Sequence, residues 1–206
     1  MSKSLAEITG DTSSPFRAAI NAAANSIRVA MPGIIVSFNA SDQTVNVKPS
    51  LADNVNIGGQ TQLVFPPIIS DVPVAIPRGG NFAVTLPIKP GDNCILVFAD
   101  SCIDGFWQSG KETAPAEYRQ HDLSDAMAIV GISAGGAISG YNPDALEIRS
   151  LQGEATITVN DRGVTLNAGI VDINAGTVSI SGGAVNIGGG PVTITGSPVD
   201  INGTIF

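Results

Sequence analysis

Histidine is almost missing from this chain, with His121 alone among 206 residues. A histidine-rich metal site or a Ser-His nucleophile pair has almost no material to work with. Cysteine is nearly as scarce. Cys94 and Cys102 show no C-x-x-C spacing and cannot make a disulfide framework, so both read as reduced structural residues. Aromatics are 5% of the chain, and the ten Lys and Arg residues are outnumbered by eighteen Asp and Glu. The net charge of −8 argues against a nucleic-acid partner, which wants a basic stripe, and against capture by anionic lipid. No run of about 18 apolar residues offers a membrane-spanning helix. The opening Met1-Ser-Lys-Ser-Leu-Ala-Glu lacks a long apolar core, so no secretory signal is expected.

What the chain does contain is a short phrase repeated every seven residues through its last fifty. The phrases begin at Ile157, Val164, Val171, Val178, Val185, Val192 and Val199, with no insertion between them. Such fixed-period self-similarity is the signature of a repeat architecture. In each phrase the first and third residues are Val, Ile or Leu, and the second and fourth are polar or Gly. That is the period of a strand with one apolar side. The three residues between phrases are rich in Gly, Ala, Pro and Ser, as in Ala168-Gly169-Ile170 and Gly189-Gly190-Pro191. Glycine suits the sharp corners this spacing needs. A coiled coil would space its apolar residues three and four apart, and a Gly-rich disordered tail would lack the regular Val/Ile pairs.

Four-residue strands with three-residue corners predict a three-sided β-helix rod over 151–206. One chain winding alone would use about 21 residues per turn and give only about 11 Å of rod. Three interwound chains would give about 34 Å and put the apolar pairs on the axis, so a homotrimer is the expectation. From Gly163 to Phe206 there is no Lys or Arg, and the only charges are Asp172 and Asp200. In the three-sided arrangement those two carboxylates lie on adjacent faces and about 19 Å apart along the axis, too far for paired-carboxylate glycoside cleavage. The last turn carries Ile205 and Phe206, expected either to plug the rod or to seat a small tip protein.

The first 150 residues read differently. Ser14-Pro15 is a helix start, with Phe16, Ile20, Ala23 and Ile27 on one face and Pro32-Gly33 as the stop. Period-2 segments follow at 34–39, 44–49, 72–77, 82–87 and 92–98, with 51–71 as a long connection. Five short strands predict a small closed barrel of OB type. The apolar run from Ala126 adds one more strand or a buried extension. The expected organisation is a helical segment at 1–32, a barrel at 33–132, a linker at 133–150 and the rod.

Candidate chemistry is thin. His121 stands beside Asp122 and Asp125 as a candidate base or metal ligand, against the reading of a polar loop. Gly131-Ile-Ser-Ala-Gly135 matches a nucleophile elbow by its letters, but no histidine follows it. Gly182-Gly183 and Gly188-Gly189-Gly190 fall at corners of the repeat, with no Gly-Lys-Ser/Thr to make a phosphate loop. No catalytic residue, cofactor or metal ligand is assigned, and an enzyme is not expected.

The order of helix, barrel segment at 34–98, the His121-Asp-Leu-Ser-Asp-Ala-Met-Ala-Ile-Val-Gly run and heptad shaft resembles the central, membrane-puncturing spike of contractile phage tails. The resemblance implies a structural trimer made in the host cytoplasm and carried in the virion baseplate. Its barrel would attach to a hub protein, and its rod would pierce the target outer membrane when the sheath contracts. Many such spikes end in a His-x-His pair that binds iron, and nothing beyond residue 121 can supply it here. The competing readings are a receptor-binding fibre or adhesin with a β-helical shaft, and a polysaccharide-degrading tailspike.

Overall fold

The computed structural model describes residues 13–196. The chain is mainly β, with 33% strand and 10% helix. It divides into two compact units, with the boundary between Ser139 and Gly140. That boundary falls inside the segment expected to be a linker.

The first unit opens with helix α1, Ser13–Ser26. The chain then enters β1 at Ala30 and runs to Asn39. Pro32-Gly33 is therefore not a helix stop but part of a strand. Pro32 pairs with Ile95 without disturbing the ladder, and Gly33 lies where a Cβ would run into Val47 Cγ1. The glycine is there because two strand backbones approach closely. β1 alternates, sending Met31, Gly33 and Ile35 inward and Ile34 and Val36 outward. A bulge between Ile35 and Ser37 lets Phe38 pack on the core from further along the same strand.

β1 pairs with β2, Thr44–Pro49, across the predicted turn. The segment 51–71 is not a plain connection. Asp53–Ile57 (β3) and Gln60–Val64 (β4) form a hairpin around Gly58-Gly59, both glycines at positive φ. That Gly-Gly pair with flanking alternation is a hairpin signal in its own right. β5 is Ile69–Pro73, three residues earlier than expected, because Ile69 and Val72 are the residues that reach the core. The intervening step is a bulge, with Asp71 at φ 56° and its N–H donated to Asn46 Oδ1. The expected strand at 82–87 shrinks to β7, Phe82–Ala83, paired with β6, Arg78–Gly79. Phe82, Val84 and Leu86 all face solvent, so no core holds the rest of that segment extended. β8, Asn93–Phe98, and β9, Ala126–Val130, complete the sheet. Between them lies the short helix α2, Asp104–Ser109.

The five-stranded sheet has the order β5-β2-β1-β8-β9 and curls into a half-barrel. Its two edges meet at one parallel bridge, Val74 to Ala128, where Ala75 N–H donates to Ala128 O at 2.9 Å. Ile35, Val45, Val47, Val72, Cys94, Leu96 and Ala128 fill the concave side. Cys94 is fully buried there, and burial pushes its thiol pKa up to about 11.

The second unit contains a three-stranded antiparallel meander of β10, Leu146–Arg149, β11, Thr156–Asn160, and β12, Gly163–Asn167. β10 lies within the expected linker. Its Leu-Glu-Ile-Arg alternation was the signal for it. The first two heptad phrases form β11 and β12, but what joins them is a tight hairpin rather than an open corner. Asn160 Oδ1 accepts from Arg162 N–H at 2.9 Å, and Asn160 registers with Gly163. Among the described residues no strand follows Asn167.

Candidate assembly interface

The residues singled out for chemistry are separated by the fold. His121 sits at φ 49° and points Nε2 at Asp100, 3.4 Å away, not at the acids beside it in sequence. Asp122 caps a short 3₁₀ turn, accepting from the Ser124 hydroxyl and N–H, and these bonds lower its pKa. Asp125 is fully buried and bound by Arg119 through Nε and Nη2, at 2.7 and 3.0 Å, while also accepting from Ile103 N–H. Arg119 reaches Asp104 and Glu117 as well, and its bond holds the Asp104 carboxyl below the usual range. The result is a clamp joining α2, the 119–125 loop and the start of β9. Cys102, Asp104 and Asp125 bring donor atoms within 4.8 Å of one another, with Arg119 already neutralising both carboxylates. Sequence reading missed Arg119, because the partners it gathers lie up to fifteen residues away. Ser133, in the elbow look-alike, falls in a loop after β9. Asp172 lies on a stretch without strand pairing, and Asp200, Ile205 and Phe206 lie outside the described residues.

What the fold does assemble is an apolar face. The meander registers Leu146 with Val159 and Val159 with Val164, and one step along it registers Ile148 with Ile157 and Ile157 with Leu166. These two rows lie on one side of the sheet. The opposite side carries Glu147, Thr158 and Thr165, then Arg149, Thr156 and Asn167. Alternation therefore sorts six large aliphatic side chains onto a single surface. All six remain 39–67% exposed among the described residues. Ile148, Ile157 and Leu166 line an open apolar hollow of about 350 Å³, which Ile170 and Val171 extend into the next phrase. The aliphatic pairs of the four phrases from Val171 to Ile194 are 53–73% exposed. A monomer rarely leaves so continuous an apolar surface without a partner.

The half-barrel unit supplies the other finding. Residues 31–131 match the phage protein Gp138 N-terminal domain family. The matched span starts one residue into β1 and stops one residue after β9, so it covers all of the five-stranded sheet but Ala30, together with the Arg119 clamp. The match supports a phage structural role and a place in the virion. No curated protein matches the chain.

Proposed function

We propose that this chain is the trimeric central spike of a contractile injection tail. The observation that carries the reading is the two-row apolar face at 146–166 continuing without interruption into Val/Ile phrases that have no cover in one chain. A single-chain solenoid would bury those pairs on its own earlier turns, and the lone chain does not. Three chains supply the missing neighbours, each phrase pairing with strands of the other two and each aliphatic pair meeting on the axis. The shaft's lack of Lys and Arg suits this packing, because a narrow prism has no interior room for charge.

The first unit takes the attachment role. Its strand order, with antiparallel pairs throughout and one parallel bridge closing β5 onto β9, is the order of an OB barrel. We assign it to the baseplate hub, in keeping with the family match. The second unit is the piercing element, driven through the target outer membrane by sheath contraction, and a structural, non-enzymatic part needs nothing more. Multi-angle light scattering of the purified chain tests the reading. The expected mass is three times that of one chain, and a monomer at micromolar concentration would overturn it.

A further inference from the structure

The described side chains of helix α1, at 15–21, 23 and 24, are exposed, and among the described residues no extensive contact joins the helix to a strand. A 14-residue helix is marginal in water by itself. Yet it carries two large apolar side chains, Phe16 and Ile20, and the chain presents a third, Ile27, just past its last residue. All three are more than half exposed. Ile27 donates its N–H to Ala24 O at 3.4 Å, which carries the helical path one residue further.

The spacing of this seam decides what fits it. Phe16, Ile20, Ala23 and Ile27 are separated by four, three and four residues. That is the a/d pattern of a coiled coil, with Ile20 and Ile27 at a and Phe16 and Ala23 at d. A helix meant for a globular groove presents a wider stripe, with a third apolar position in each heptad. Here the flanking positions 17, 19 and 24 hold Arg, Ala and Ala, which add no large apolar group. Ala19 and Ala24 also leave room for neighbouring helices to approach. A narrow a/d seam with small flanks is complementary to copies of itself.

We infer that α1 is a second trimerisation element, a short parallel three-helix coiled coil formed by three copies of this chain. The inference rests on the trimeric reading above. Once the shaft holds three chains in one particle, each helix meets the other two at a high effective concentration. A seam too short to associate alone is then sufficient. The chain is thereby closed on the threefold axis through two different kinds of packing, helical near its start and β near its end.

Full-length Ile20→Cys tests this under mild oxidation, read on a non-reducing gel. The native Cys94 and Cys102 are 0% and 8% exposed, so the new thiol is the accessible one. Three thiols on one axis form one disulfide and leave one over, so the dimer band should approach about two thirds of the chain. Asn21→Cys, on the outer side of the helix, should give little. Light scattering on the same samples separates the outcomes. A trimer in which Ile20→Cys cross-links no better than Asn21→Cys overturns the coiled coil and leaves the spike reading standing, and would mean the helix serves another protein. A monomer removes both.

Discussion

Placing a carboxylate at Ile157 strikes the centre of the apolar face. Ile157 lies on the middle strand of the meander, between Ile148 and Leu166, and is 40% exposed in one chain. Full burial of an Ile side chain contributes about 1.5–3 kcal/mol, so covering the remaining 40% contributes about 0.6–1.2 kcal/mol per chain. Three chains lose about 2–4 kcal/mol per trimer. At 1.4 kcal/mol per factor of ten, that weakens the trimer on the order of 30- to 700-fold, before counting the three carboxylates forced together. Sedimentation velocity over a dilution series reads this directly, with Ile157→Asp dissociating at concentrations where the parent stays trimeric. The control is Thr165→Asp, three residues past the hairpin turn and on the polar side, opposite Thr158, which should leave the mass unchanged. Equal dissociation of both variants, or of neither, would refute the claim that the two-row face is what the other chains cover.

Three further outcomes follow from the half-barrel. Asp125→Ala strips Arg119 of its buried partner and leaves Ile103 N–H unpaired, so urea unfolding followed by Trp107 fluorescence should show a loss of about 3 kcal/mol, and Asp125→Asn a smaller one. Gly33→Ala drives a methyl into Val47 and should cost about 1–3 kcal/mol in the same assay. Asp53, Asp104 and Asp122 all have lowered pKa values, the first two through Arg28 and Arg119 and the third through Ser124. Carboxylates depressed in the folded state contribute stability that is present above the unfolded value of about 3.9 and is lost as pH falls through the folded one. The urea midpoint should therefore hold from pH 7 to about 5 and drop below about 4. Arg119→Ala should flatten the drop, and an unchanged slope would show that the clamp is not responsible.

The parts legible in the sequence were those where one strand face does all the work. Thr44–Pro49 and Asn93–Phe98 alternate cleanly, and the structure forms them to within a residue of where the pattern places them. The missed elements were set by partners. Pro32-Gly33 looks like a helix stop until Val47 is seen to fill the space a side chain would need. Residues 84–87 look like a strand, but no neighbour bonds to them beyond Val84, whose N–H donates to Pro77 O. The Arg119 clamp could not be found by spacing, since an Arg with three acids in reach has no periodic signature. His121 was legible as a loop residue among acids, but its contact with Asp100 lies twenty-one residues back and was not.

The meander also bears on a counting problem that every repeat faces. Phrases that recur each seven residues look alike, so three chains could mate one phrase out of step and still match aliphatic to aliphatic along most of the shaft. The hairpin at Asp161-Arg162 has no duplicate among the later described phrases, and it forms within one chain from residues close in sequence. It can therefore be in place before the chains meet. Misaligned chains would then set a folded hairpin against an open corner, and that mismatch singles out one alignment from several otherwise equal ones.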